Sequence, residues 1–133
     1  MRFFYVFLLG LLNFFAAGQI LIVEFEIQST KENGKVYLRL KNEQNNIVKE
    51  SVIPVENKKA TIRYTDLSSG SYSVEAFHDQ NNNGKLDTNP FGIPKEPYGF
   101  SNNVRGNFGP PDFELTLFQV SGMTTTKIRI LLR

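Results

Sequence analysis

From Leu21 onward, apolar and polar residues alternate with a period of two, the pattern of a strand with one buried face and one wet face. Leu21, Val23, Phe25 and Ile27 alternate with Ile22, Glu24, Glu26 and Gln28. Val36, Leu38 and Leu40 alternate with Lys35, Tyr37, Arg39 and Lys41. Ala60, Ile62 and Tyr64 form a further set, as do Tyr72, Val74 and Ala76. Phe113, Leu115 and Leu117 make a sixth, and Thr126, Ile128, Ile130 and Leu132 a seventh. The stretch from Ile47 to Val55 is apolar but less regular. Asn33-Gly34 and Asn45-Asn46 are turn signals. No segment after residue 18 carries a helical stripe. The spacing predicts strands near 20–27, 35–41, 47–55, 59–65, 71–78, 113–119 and 125–132. Short alternating strands separated by turns predict an all-β, antiparallel, seven-stranded Greek-key sandwich. A small closed barrel is the competing architecture. The uneven runs and one very long connection favour the sandwich.

The first residues follow another rule. Met1-Arg2 is a short positive start, Phe3 to Phe15 is nearly all apolar, and Ala16-Ala17-Gly18 supplies small residues before Gln19. This is the layout of a secretory signal peptide spanning residues 1–18, with cleavage expected before Gln19. An uncleaved anchor is the alternative, but the apolar run falls short of the roughly 20 residues that span a bilayer. Residues 19–133 are then a single domain, exported to the periplasm, the outer-membrane surface or the secreted fraction, with no transmembrane helix after cleavage.

Composition narrows the partners. The formal charge of the chain is +2, and loss of Arg2 with the signal peptide takes it to +1. Acids and bases are interleaved, so no basic stripe marks a nucleic-acid partner. There is no cysteine, which excludes thiol catalysis, disulfides and Cys-type zinc sites. His78 is the only histidine, too few for a three-ligand zinc site without carboxylate help. Its parity matches Tyr72, Val74 and Ala76, so it reads as a packed residue at the core rim, bonded to the long loop.

Chemistry concentrates after the fifth strand. Asp79, Asn81, Asn83, Gly84, Lys85 and Asp87 occupy positions one, three, five, six, seven and nine of a calcium-type loop. Calcium takes six to eight hard oxygen ligands, and glycine at six makes the sharp turn. Asp79, Asn81, Asn83 and Asp87 would give side-chain oxygens, and Lys85 its carbonyl. Position twelve is Pro90 where a bidentate Glu belongs, so affinity should be weak, ~10⁻⁴–10⁻³ M as in extracellular modules. Glu96 could fold back as a third acid. The competing reading is an Asn-Gly hairpin whose amides satisfy their own backbone. The following segment, Thr88 to Asp112, is rich in Pro, Gly and aromatics. Loops this long in a compact domain are usually functional or disordered, and this one has too many aromatics for a solvated linker. Tyr98, Phe100, Asn102, Asn103 and Arg105 are candidate ligand-binding residues that could stack on a sugar or grip a peptide. Otherwise the loop is a self-packed cap on one end of the sandwich.

The string Asp66-Leu67-Ser68-Ser69-Gly70-Ser71-Tyr72-Ser73-Val74 is similar to one that recurs in prealbumin-like sandwiches. It runs into Phe77-His78-Asp79-Gln80-Asn81-Asn82-Asn83-Gly84-Lys85-Leu86-Asp87, then Gly92-Ile93-Pro94, Pro97-Tyr98-Gly99-Phe100-Ser101-Asn102-Asn103 and Gly109-Pro110-Pro111-Asp112-Phe113. The combined string resembles the domain-of-unknown-function 2141 family of exported bacterial domains, most closely over residues 60–120. That resemblance implies an immunoglobulin-like or prealbumin-like sandwich and supplies no activity. No nucleophile–base pair is visible, so the function expected is a non-enzymatic binding or structural module whose partner is an envelope protein or glycan. A carbohydrate-active hydrolase using Asp87 and Glu96 is the alternative.

Overall fold

The computed structural model describes residues 19–133 apart from Thr30 and Met123. The expected signal peptide, residues 1–18, lies outside them. Among the described residues eight strands follow in order: β1 (Gln19–Ile27), β2 (Lys35–Asn42), β3 (Ile47–Pro54), β4 (Lys59–Leu67), β5 (Gly70–Asp79), β6 (Tyr98–Phe100), β7 (Phe118–Val120) and β8 (Thr125–Leu132). They form two sheets, one of three strands ordered β4-β1-β8 and one of five. The five-stranded sheet runs β3-β2-β5-β6, with β7 also pairing to β5. The all-β, two-sheet expectation therefore holds, with eight strands instead of seven. Among the described residues no helix is long and apolar enough to cross a membrane.

Alternation places the core. Leu21, Val23, Phe25 and Ile27 of β1 pack against Val36, Leu38 and Leu40 of β2, Tyr72 and Val74 of β5, and Ile130 and Leu132 of β8. Fully burying one such side chain contributes roughly 1.5–3 kcal/mol. The irregular β3 behaves as its pattern suggests: only Ile53 is buried within it, while Ile47, Val48 and Val52 are exposed. The Asn45 turn closes the β2–β3 hairpin. The Asn42 side chain accepts N–H bonds from Gln44 (3.1 Å) and Asn46 (3.0 Å), and Asn45 takes a positive φ of 64°.

Three expectations need correcting. The pair β1–β8 is parallel, running from Ile20↔Thr125 to Ile27↔Leu132, so the sheets are not purely antiparallel. The strand expected at 113–119 is a 3-10 turn over Phe113–Thr116 followed by the three-residue β7. Its alternation misled because a buried polar network decides the segment. Thr116 is buried, its hydroxyl meets that of Ser73 (2.6 Å) and its backbone carbonyl accepts the Ser101 hydroxyl (2.5 Å), while Leu115 faces solvent. Finally, β6 lies inside the long loop, where no strand was expected.

That short strand joins the two sheets. Tyr98 N–H donates to the Arg133 carbonyl and Arg133 N–H to the Tyr98 carbonyl, both at 3.3 Å. Next along, Asn103 continues the ladder with its side chain. Its amide nitrogen donates to the Arg129 carbonyl (3.1 Å) and its oxygen accepts the Leu131 N–H (2.8 Å). The edge of β8 is thereby covered, which removes a row of free backbone groups. At the other side of the sandwich β3 and β4 are tied by Ser51–Tyr64 (2.7 Å) and by Lys49–Asp66 (3.5 Å).

Candidate functional site

The loop leaving β5 is organised by its own side chains. Asp79, the last residue of β5, is fully buried. Its carboxylate accepts the N–H of Asn83 (3.3 Å) and of Gly84 (2.9 Å), closing a turn in which Gly84 has φ +76°. Asn81 and Asn83 then converge on one acid: their amides donate to the two oxygens of Asp87, at 2.5 and 2.6 Å. These two donors hold the Asp87 carboxyl below the ordinary aspartate range, Asn83 first and Asn81 second, because both bond the charged form. Asn83 also accepts the Lys85 N–H at 3.2 Å. The spacing that suggested a calcium loop thus brings Asn81, Asn83 and Asp87 to one point, with Asp79 folding the turn behind them.

Glu96 does fold back, but not as a third acid beside the other two. It is buried, and its oxygens accept the N–H groups of Gln80 (3.0 Å) and Asp87 (3.3 Å). It clamps the two ends of the loop together. Among the described residues no group of three or more His, Asp or Glu side chains gathers closely enough to hold a metal. Any cation here would rest on two carboxylates, the asparagine amides and backbone carbonyls. Turning each amide over about its last bond would exchange nitrogen for oxygen at the same place. The donor chemistry therefore fits a hard cation held weakly.

His78 departs from its expected partner. It is fully buried as its parity implied, but the ring bonds the Asn33 carbonyl at 2.6 Å, not the long loop. A carbonyl only accepts, so Nε2 is the donor, and among the described residues Nδ1 is buried without a partner. The long loop instead reaches the His78 backbone, whose N–H donates to the Pro97 carbonyl (2.8 Å).

The candidate binding residues divide. Asn102 and Asn103 are spent on the fold. Asn102 donates to the carbonyls of Leu115 and Leu117, both at 2.9 Å, and Asn103 pins β8. Arg105 lies over the Tyr98 ring at 4.0 Å and donates to the carbonyls of Tyr98 (2.9 Å) and Arg133 (3.3 Å). It buttresses Tyr98 from outside. Tyr98 and Phe100 meet edge-to-face at 6.2 Å and open onto a surface that the periodicity did not single out.

That surface is the outer face of the five-stranded sheet. Register places Val52, Tyr37, Phe77 and Tyr98 directly opposite one another across β3, β2, β5 and β6. The next row outward reads Glu50, Arg39, Glu75 and Phe100. Tyr37 and Phe77 stack at 5.2 Å with their planes 7° apart. A groove of about 620 Å³ lies over these rows, walled at one end by Gly84, Lys85 and Leu86 of the candidate cation loop. Tyr37 and Phe77 were discoverable: each is an aromatic at a position whose parity is otherwise polar. The outer face of the three-stranded sheet is different. There Glu24 meets Lys127 (3.1 Å) and Arg129 (3.5 Å), and the Lys127 bond above all lowers its pKa.

A two-sheet β domain with a ligand-sized groove on one outer face, flanked by an acid-and-amide loop, defines the class. Within it the chain belongs to the family described as "Uncharacterized protein conserved in bacteria (DUF2141)", whose model matches residues 25–128. No curated protein and no solved structure matches the chain.

Proposed function

We propose that this chain is a non-enzymatic binding module of the cell envelope or the secreted fraction, exported after loss of residues 1–18. The observation that carries the reading is the aromatic row Tyr37, Phe77 and Tyr98 laid across the outer sheet face. Half-buried rings on a rigid sheet, beside a charged row, have the make-up of a ligand site: apolar surface with a few polar groups. The crossings between sheets, with β2 pairing β5 and β1 pairing β4, support a Greek-key sandwich of immunoglobulin-like or prealbumin-like kind.

The Asp79–Asp87 loop is proposed to take calcium weakly, through Asp79, Asn81, Asn83, Asp87 and the Lys85 carbonyl. If the ion binds only the folded state, calcium tenfold above Kd adds about 1.4 kcal/mol, several degrees in Tm for a domain of this size. Magnesium should do much less, since it resists full dehydration. The expected result is a saturable Tm rise at millimolar calcium, absent in Asp79→Ala that retains its fold. A flat response to about 10 mM, beyond the range of weak extracellular sites, would leave the loop as an Asn-rich turn.

The binding reading is tested by screening envelope glycans and peptides against the purified chain while monitoring turnover. Binding that Phe77→Ala abolishes, without product formation, is the expected outcome. Turnover lost on replacing Asp87 or Glu96, with the fold intact, would establish the hydrolase instead.

A further inference from the structure

Between the candidate cation loop and β6 the chain makes a second, smaller projection. We infer that this tip, Asn89-Pro90-Phe91-Gly92-Ile93-Pro94, is a lipid contact, which dips the side chains of Phe91 and Ile93 into a bilayer interface independently of the groove.

The local sequence builds the projection. Asn89-Pro90-Phe91-Gly92 is a tight turn closed by the Gly92 N–H on the Asn89 carbonyl (2.9 Å). Proline suits its second position and glycine its fourth. Gly92 has φ +78°, and a Cβ there would meet nothing within 4 Å. The turn therefore stands clear of the rest of the domain. Phe91 is 89% exposed and Ile93 59%. Two large apolar side chains are held in water on a turn that nothing in the fold packs against.

The backbone donors of the tip are all closed. Asn89 N–H donates to the Ile93 carbonyl (2.9 Å). The Asn89 side-chain oxygen accepts the N–H groups of Phe91 (2.9 Å) and Ile93 (3.0 Å). Pro90 and Pro94 have no N–H, and Lys95 N–H is held by the Asp87 carbonyl (2.8 Å). From Asn89 to Lys95 no backbone donor is left open. Apolar surroundings demand this, because an unpaired N–H there is costly, whereas water or a protein pocket can supply an acceptor. Phe108 is the contrast: it is fully exposed too, yet among the described residues the N–H groups of Asn107, Phe108 and Gly109 make no hydrogen bond.

Charge does not oppose entry. No residue from Thr88 to Pro94 is charged, and the flanking Asp87 and Lys95 have opposite signs. A partner protein would find no free donor to bond and no charge to pair, only apolar surface on a projecting turn. A bilayer interface asks for nothing more, since aromatic and apolar side chains settle at the boundary of headgroups and acyl chains. Two side chains bury less than an acyl chain, so docking is reversible and weaker than the ~10⁴ M⁻¹ of a single myristoyl group.

The test is ¹⁵N-amide NMR of the purified protein with phosphatidylcholine bicelles that carry a nitroxide-labelled lipid. The amides of Phe91, Gly92 and Ile93 should broaden, that of Phe108 should not, and added salt should not reverse the effect. Phe91→Ser, at an exposed position the fold does not need, should weaken docking about fivefold or more, and Phe91→Leu should keep most of it. Asn89→Ala retains both apolar side chains but opens two N–H groups, and should weaken docking about threefold or more. Arg63→Gln, on the outer face of the three-stranded sheet, should dock as the parent does. Silence of the tip amides would overturn the lipid contact. So would broadening that survives Phe91→Ser, equal broadening at Phe108, or docking that needs phosphatidylglycerol and is lost in salt. Undiminished docking of Asn89→Ala would overturn it as well, since closure of the backbone would then play no part. Tip shifts with an envelope protein extract, and silence toward bicelles, would assign the tip to a protein partner instead. The groove reading is measured separately, at Tyr37 and Phe77, and stands or falls apart from these outcomes.

Discussion

Asn103 shows how much a single exposed side chain does here. Its backbone sits at φ +53°, and its amide satisfies both a carbonyl and an N–H on β8. Two such bonds contribute about 0.5–1.5 kcal/mol each. Asn103→Ala keeps the Cβ on left-handed backbone and should lose about 1–3 kcal/mol in urea titration with the two bonds. Asn103→Gly, free of the strain, should recover part of that loss. Equal losses in both would mean the bonds alone matter. Asp87 makes a prediction of a different sort. Its folded pKa is depressed by the Asn83 and Asn81 donors. Its contribution to stability is thus present above the unfolded aspartate value and disappears as pH falls through the folded one. In calcium-free buffer the acid limb of the stability curve should flatten in Asp87→Asn relative to the parent. A parallel limb would show that these amides do not favour the charged form.

Among the elements, β6 is the one most dependent on a missing side chain. A Cβ on Gly99 would lie 2.6 Å from the Leu131 carbonyl and 3.1 Å from side-chain atoms of Ile130 and Leu132. The nearest obstacle is backbone, which cannot swing aside. Gly99→Ala should cost about 1–3 kcal/mol, as overpacking does, and should speed amide exchange at Tyr98 and Arg133. Unchanged exchange would mean that the strand tolerates the methyl and that the seam does not need close approach. The sequence carried only a faint trace of this element: a glycine between two aromatics, just past a proline. Three residues cannot establish a period, and the strand exists because the free side of β5 offers it partners. The longer strands β1, β2, β4, β5 and β8 were legible because one buried face imposes alternation over eight residues or more. The 113–117 alternation, by contrast, is overruled by the Ser73–Thr116 hydroxyl pair and by the Ser101 hydroxyl on the Thr116 carbonyl, contacts that periodicity cannot express.

At the scale of the molecule, the two outer faces were also half legible. Polar parity described the charged face around Glu24 well. The same parity obscures the groove, since Tyr37 and Phe77 share the wet positions of their strands and only register sets them side by side. The loop at Asp79 brings Asn81 and Asn83 onto Asp87, residues that spacing alone picks out together because it is a local property. The role of Glu96 as a clamp, and of Asn102 and Asn103 as struts, is not legible in that way, because each depends on strands distant in sequence.

The parallel pairing of β1 with β8 has a mechanical consequence. Two strands running the same way put Gln19 at one end of the sandwich and Arg133 at the other. Tension applied between those residues would slide β1 along β8 in shear and load the ladder of eight register pairs together. Tension between Gln19 and Ser68 would act differently, peeling β4 from β1 one pair at a time from the Gln19↔Leu67 end. The chain has no cysteine, so handles at chosen positions can be introduced singly. Pulled through Gln19→Cys and Arg133→Cys, the domain should rupture at a clearly higher force than through Gln19→Cys and Ser68→Cys, since forced unfolding follows the barrier to the first break. Equal rupture forces would show that the first strands to yield lie in the other sheet. Held at Gln19 and Arg133, this cysteine-free β fold would resist load along its parallel ladder.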